Sequence, residues 1–229
     1  MTDTSFKKTF DLKDENYKSQ RKMRYIRLSI ILVALFCLPC VVFNIFFCQI
    51  KVIGVSMKPT FNINLTDGLP EEEYMASQYQ DTVVISRILE SENGDIVIVS
   101  YNNRYIVKRL IAKGGQKVTL KKEEGTELYA YYVDGVKLNE PYIGENYLKM
   151  STQYFWDFRL RVADETGTDE ASITVPEGKI FVLGDNRGVS QDSHRFGCLD
   201  ESKIFGKAVT YYHYDSNLFL HIFSLIFKK

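Results

Sequence analysis

The sequence predicts a mostly β domain held outside a lipid bilayer by a single N-terminal transmembrane helix. Three observations lead there. Leu28 to Cys48 carries no charged residue and is rich in Ile, Leu, Val and Phe, long enough to cross about 30 Å of hydrocarbon as a helix. Short β-branched runs then follow one another: 82–89, 96–101, 105–111, 117–120, 128–133, 173–175, 179–183 and 204–211. Turn formers such as Asn93-Gly94-Asp95, Asn102-Asn103, Gly114-Gly115 and Asp134-Gly135 punctuate them, and no long amphipathic helix interrupts, the pattern of strands joined by hairpins.

Taken in order, residues 1–27 form a basic tail, read as loose over 1–17, with Lys18, Arg21, Lys22, Arg24 and Arg27 gathered before the apolar run. Only Lys51 and Lys58 follow the run closely, so the positive-inside rule places the N-terminus in the cytoplasm. Residues 28–48 are the membrane helix, with Pro39 a kink that a membrane span tolerates. A cleaved signal peptide is the competing reading, but cleavage past residue 48 would cut into the serine motif described below. Residues 49–212 form the exterior β domain. Within it, 62–79 reads as a surface excursion with one helical turn, and within 140–172 the stretch 147–162, with Trp156, as two strands or an aromatic surface facing the membrane, followed by an acidic loop at 164–170. Residues 213–229 make an apolar and basic tail, too short to span and suited to an interface.

With 229 residues, 45% of them hydrophobic, the chain can bury one core and carry an appendage. Its formal net charge of +0 gives no support to nucleic-acid binding. Cys37, Cys40 and Cys48 fall in or at the end of the span, which leaves Cys198 without an exterior partner, so no disulfide framework is expected.

Candidate chemistry begins at Gly54-Val55-Ser56-Met57-Lys58-Pro59-Thr60, just past the span. A serine hydroxyl is a poor nucleophile unless a neighbouring base takes its proton. Lys108, in Tyr105-Ile106-Val107-Lys108-Arg109, can be that base if it is neutral, which requires its pKa to fall from about 10.4. On a strand, Ile106, Lys108 and Leu110 share one face, which favours desolvation of the amine, while Arg109 points elsewhere and stays charged. Gly54 lets the backbone approach a substrate, and the Ser56 amide is a donor for a developing oxyanion. A second dense stretch runs from Gly184 through Asp185, Asn186, Arg187, Ser190, Asp192, Ser193, His194 and Arg195 to Gly197. Its short polar side chains suit internal turns and caps, and Ser190 is placed to orient a neutral lysine. A Ser-His-Asp reading through His194 competes with Lys108, and the Asp185/Asp192 spacing lacks a cation-loop pattern.

In this order, Ser56-Met57-Lys58-Pro59-Thr60, Gly94–Val99, Tyr105–Ile111 and Gly184-Asp185-Asn186-Arg187 with Ser190 and Asp192-Ser193 resemble the type I signal peptidase family, membrane-bound Ser-Lys endopeptidases. The resemblance covers nearly everything from the anchor to about Val209. It implies that Ser56 attacks the scissile carbonyl, that Lys108 is the general base, that Ser190 positions the lysine, and that Asp185 and Asp192 support the surrounding loop. It also implies a largely β catalytic domain at a bacterial cell membrane, shallow pockets favouring small residues at substrate positions −1 and −3, and no cofactor or metal. The implied partners are signal peptides of exported preproteins and the lipid bilayer, with the secretion translocon or pilin subunits as further candidates. A signal-peptidase-like chaperone or specialised processing factor for surface pilins is the alternative. Three departures stand out. Gly54 sits where some members have a serine contributing to the oxyanion hole. Asp192-Ser193-His194-Arg195 breaks the usual Asp-Ser-Arg order, leaving the supporting base to His194 or Arg195. The 62–80 excursion is longer than in compact members.

Overall fold

The computed structural model describes residues 3–65, 68, 70–77, 80–126, 128–144, 150, 152–162 and 169–213. It divides into two compact units, Met1–Phe46 and Phe47–Lys229. The first unit is one α-helix, Asp3–Phe46, with Pro39 inside it. Its stretch Tyr17–Phe46 is long and apolar enough to cross a membrane and buries none of its most apolar window. The helix differs from expectation at both ends. It starts at Asp3 instead of leaving residues 1–17 loose: no Gly or Pro interrupts the chain before Pro39, and Lys, Glu and Gln are good helix formers. It stops at Phe46, because Phe47 and Cys48 enter the first strand and pair with Ser86 and Ile85.

The second unit is built on two antiparallel sheets. Eleven strands are described: β1 (Phe47–Lys51), β2 (Thr82–Ser86), β3 (Ile96–Tyr101), β4 (Arg104–Lys113), β5 (Lys117–Lys122), β6 (Tyr129–Val133), β7 (Val136–Lys137), β8 (Glu170–Thr174), β9 (Lys179–Leu183), β10 (Leu199–Asp200) and β11 (Ile204–Tyr212). The larger sheet has the order β1-β2-β11-β3-β4-β9-β10, the smaller β7-β6-β5-β8. All eight expected runs are strands to within a few residues. The chain passes from the large sheet to the small one after β4 and returns after β8, so β4 and β9 lie side by side although 66 positions separate Lys113 from Lys179. That adjacency positions the site.

Burial follows the period-2 pattern of strands. Ile106 and Leu110 pack with Val97, Val99 and Val182 on one face, and Val107 packs with Ile85 and Ile98 on the other. The small sheet packs Val118, Leu120, Tyr131 and Ala171 into one core with Ile111 and Ala112 of β4 and Phe181 and Leu183 of β9. Its cover overturns one expectation: within 140–172 lies an α-helix, Thr152–Val162, instead of two strands. Its Tyr154, Phe155 and Phe158 are buried against that core, whereas Trp156 is 48% exposed. The three buried rings fall at i, i+1 and i+4, one face of a helix, although aromatic residues favour strands when read by propensity.

The 62–79 stretch is only partly the surface excursion predicted. Asn62 and Leu65 are buried, and Glu71–Ala76 forms the short helix. The acidic loop at 164–168 and the tail beyond His213 lie outside the described residues.

Candidate active site

The serine motif leaves β1 and crosses into a turn. Gly54 adopts φ +84, a left-handed conformation that side-chain-bearing residues rarely take. Asn62 holds this entry: its Nδ2 donates to the carbonyls of Val52 at 2.7 Å and Gly54 at 2.8 Å, and its Oδ1 accepts from the Asp81 amide at 2.8 Å. Met57 and Phe61 anchor the turn from below in the same core as Ile85 and Ile98. The carbonyls of residues 52 and 54 are thereby committed to structure.

Asn186 fixes the next two carbonyls. Its amide donates to Ser56 O at 3.0 Å, and its Nδ2 to Val55 O at 3.2 Å. Gly184 packs against the same peptide so closely that a Cβ there would lie 2.5 Å from Ser56 O and 2.2 Å from Ser190 Oγ. The late polar loop therefore grips the serine turn through the Asn186 amide and side chain and through the close packing of Gly184.

Lys108 arrives from β4. It is 4% exposed, and its Nζ donates to Ser56 Oγ at 2.8 Å. Burial pushes its pKa down from the ordinary lysine value, against the opposing charges of Asp192 and Asp185. Desolvation of the ammonium wins, the direction a general base needs. The hydroxyl and the amine expected to meet are in contact.

Arg109, expected to point away and stay charged, is on the other face of β4 but buried at 7% exposure. It forks onto Asp185, Nε to Oδ1 at 2.8 Å and Nη2 to Oδ2 at 2.6 Å, and Nη1 donates to Gly94 O at 2.7 Å. Burial works against its charge, but the bond to Asp185 and that carboxylate's field leave its pKa raised. Thr60 Oγ1 also donates to Asp185. One carboxylate thus ties together the serine turn, β4 and the late loop.

Arg187 is fully buried, with Nε donating to Gly184 O at 3.0 Å and the guanidinium paired with Glu140. Tyr142 lies over Arg109 at 3.6 Å and donates to Glu140 Oε1 at 3.0 Å. Neither Glu140 nor Tyr142 carries a signal readable from sequence, since both sit in an aperiodic stretch after β7.

The remaining loop residues divide clearly. Asp192 Oδ2 accepts from the Gly184 amide at 2.8 Å, and Oδ1 lies 2.6 Å from His194 Nδ1. Burial resists the Asp192 charge, but the His194 bond and charge hold its carboxyl below the usual range. Ser193 Oγ accepts from the Val182 amide at 3.0 Å, fastening the loop to β9. His194 is buried and stacks on Tyr154 at 3.9 Å, whereas Arg195 turns outward to Asp157 at 3.1 Å. It is His194, then, that contacts Asp192. Ser190 is buried beside Gly184, but its Oγ makes no hydrogen bond among the described residues, so the expected bond to the lysine is not made here. Among the described residues no cluster of His, Cys, Asp and Glu is arranged to hold a metal.

Comparison with known proteins adds the family. The family described as "Signal peptidase, peptidase S26" matches residues 22–213. Signal peptidase IB of Staphylococcus aureus (strain Mu50) is 37% identical over 134 residues, 58% of this chain and 66% of that protein. The chain therefore spans just under two thirds of the length of that relative. Signal peptidase I of Bacillus licheniformis is 33% identical over 156 residues, 67% of this chain and 69% of that protein. The crystal structure of a signal peptidase I from Enterococcus faecalis V583 aligns at 28% identity and TM-score 0.39, over 54% of this chain and 99% of that one. With a match reaching from within the apolar helix to the end of β11, the chain belongs to the signal peptidase family, peptidase S26.

Proposed function

We propose that this chain is a serine endopeptidase that removes signal peptides from exported preproteins, with Ser56 as nucleophile and Lys108 as general base. The observation that carries the reading is the 2.8 Å contact between a buried lysine amine and the Ser56 hydroxyl. When Lys108 is neutral, the same line runs in reverse: the hydroxyl donates to the amine lone pair. As Ser56 Oγ attacks the scissile carbonyl carbon, its proton passes to Nζ. Negative charge then develops on the carbonyl oxygen, for which the Ser56 amide is a backbone donor. Collapse of the tetrahedral species expels the amine of the mature protein, which takes the proton from Lys108. Water, deprotonated by Lys108, then attacks the acyl carbon, and collapse releases the signal peptide as a carboxylic acid while Lys108 returns the proton to Ser56 Oγ.

Asp185, Asn186 and Arg187 hold the serine turn and the lysine strand in register, and Asp192, Ser193 and His194 fasten that loop to β9. Substrate enters as an extended strand and pairs through its backbone, with small residues before the cleaved bond. The helix Tyr17–Phe46 spans the bilayer with its basic end in the cytoplasm, and the β domain meets preproteins on the far side.

The test uses the full-length chain in lipid vesicles with one preprotein, product ends mapped by mass spectrometry. Ser56→Ala, Lys108→Ala and Lys108→Arg should each abolish cleavage with folding retained, since guanidinium does not deprotonate near neutral pH. Rapid cleavage by Ser56→Ala defeats the nucleophile assignment. Binding of the preprotein without turnover by the unmodified chain would favour the chaperone reading instead.

A further inference from the structure

Asn62 commits its whole side chain and its own amide to three neighbours. Its Nδ2 donates to the carbonyls of Val52 at 2.7 Å and Gly54 at 2.8 Å. Its Oδ1 accepts from the Asp81 amide at 2.8 Å, and its backbone N–H donates to Asp81 Oδ2 at 2.7 Å. Asp81 O accepts from the Val52 amide at 2.8 Å, and Asp81 Oδ1 lies 3.1 Å from Nδ1 of His213, just past β11. Asn62 and Asp81 are almost fully buried, at 1% and 2% exposure. Asn62 also holds φ +57, a left-handed conformation that asparagine enters more readily than most side chains. The two residues bracket the excursion that departs from the compact family pattern, so their reciprocal pair closes it at its base.

Together they do along Val52–Gly54 what a neighbouring strand would do. On one side they take up the Val52 N–H, the Val52 C=O and the Gly54 C=O. The peptides after Val52 and Gly54 are trans, and in a trans peptide the C=O and the next N–H point in opposite directions. The N–H groups of Ile53 and Val55 therefore face away from the pair. Among the described residues neither finds a protein acceptor, and Ile53 is 46% exposed. Donors two residues apart have the spacing at which one edge of an extended chain offers its N–H groups. Ser56 comes next in the chain, with its hydroxyl on Lys108 Nζ.

We propose that Asn62, paired with Asp81, is a positioning residue for the substrate: it turns the N–H groups of Ile53 and Val55 toward the backbone of the signal peptide just before the cleaved bond. The inference rests on the Ser56–Lys108 and strand-pairing reading given above and adds the residue that aims the pairing edge. With that edge held, carbonyls of an extended chain meet donors at strand spacing as the scissile carbonyl reaches Ser56 Oγ. Without the Asn62 side chain, the Val52 and Gly54 carbonyls lose their donors and the two peptide planes can rotate. The amides of Ile53 and Val55 then swing out of line with the substrate.

The test follows backbone hydrogen exchange in the full-length Ser56→Ala chain in lipid vesicles, which should hold one preprotein without cleaving it. Saturating preprotein should slow exchange at the amides of Ile53 and Val55, read in the fragments that contain them. Adding Asn62→Gly, which can still take φ +57, should abolish that slowing. With Ser56 intact, Asn62→Gly should lower kcat/KM for the preprotein roughly ten- to a hundredfold, the loss of two buried hydrogen bonds. A purely structural Asn62 would lower the melting temperature yet leave the substrate-dependent slowing in place in the folded, saturated variant. That result overturns the proposal, as do amides that preprotein never slows or an Asn62→Gly chain that cleaves at full rate. If Asn62→Gly does not fold, Asn62→Asp, which keeps the size and the acceptor but loses both donors, must show the same losses. Because the exchange measurement needs no turnover, it stands apart from the dyad reading, which falls instead if Ser56→Ala still cleaves.

Discussion

Gly184→Ala tests whether the late loop places the nucleophile. The added Cβ would sit 2.5 Å from Ser56 O, 2.5 Å from Ser190 Cβ and 2.2 Å from Ser190 Oγ. Ordinary contact begins at 3.4 Å, so the Ser56 peptide and the loop must part by about 0.9 Å. If that movement is carried to the side chain, the 2.8 Å contact between Lys108 Nζ and Ser56 Oγ opens beyond the ~3.2 Å limit of a useful hydrogen bond. A misplacement of about 1 Å at a reacting group costs on the order of 10²-fold in rate. Overpacking of a filled interior costs about 1–3 kcal/mol of stability. The assay is cleavage of one preprotein under kcat conditions, with thermal unfolding of the same samples. Gly184→Ala should be slowed about 100-fold and should melt several degrees lower, at about 2–4 °C per kcal/mol for a chain of this size. A second comparison isolates the cause. Ser190→Gly removes two of the three overlaps and leaves the one with Ser56 O, so the double variant should remain far slower than Ser190→Gly alone. Full-rate cleavage by Gly184→Ala, or a double variant as fast as Ser190→Gly, refutes the argument.

Other perturbations follow from the same contacts. Lys108→Met should be inactive yet at least as stable as the parent at neutral pH in urea unfolding, because an amine whose charge burial disfavours gives way to an apolar chain of similar size. The folded-state pKa of Lys108 lies below its unfolded value of about 10.4, so the unfolded chain binds more protons between the two. Cleavage should rise with pH through the folded value, and the Lys108 contribution to stability should rise across the same window and vanish in Lys108→Met. Glu140→Gln strips a carboxylate from the fully buried Arg187 and should lower the unfolding free energy by about 3–5 kcal/mol; a loss below 1 kcal/mol would show that the pair is not what holds the loop. Gly54→Ala meets no atom within 4 Å but must adopt φ +84. Its cost should therefore be backbone strain alone, about 1 kcal/mol in thermal unfolding.

The strands were legible because their signal is local. β-branched runs between turn residues need only neighbours to be read, and the motif order carried Ser56, Lys108 and the 184–193 loop with them. What escaped had no local signature. The Thr152–Val162 helix places three aromatics on one face, and propensity alone makes such residues look like strand formers. Arg109 was given the correct face of β4 but not its burial, because its partner Asp185 lies 76 positions away. Glu140 and Tyr142 were invisible for the same reason, since what they touch is set by the return of the chain from the small sheet to β9.

That return accounts for the polar content of the core. Three segments remote in sequence, the serine turn, β4 and the 184–194 loop, must agree to within a fraction of an ångström at Ser56. Apolar packing is non-directional and tolerates small slips, so it cannot set such a register. Paired charges and forked hydrogen bonds can, because their geometry fails sharply with distance. Asp185 binds all three segments through Thr60, Arg109 and its own loop position. Glu140 and Tyr142 lock the arginines from the stretch that follows β7. Each buried ion pair is weak support for stability when compared with apolar residues of equal volume, so the density of such pairs around one serine points to positioning as their use. Apolar replacement of both members of the Arg109–Asp185 pair should accordingly cost far more activity than stability, and a double variant that keeps its rate would remove positioning as the explanation.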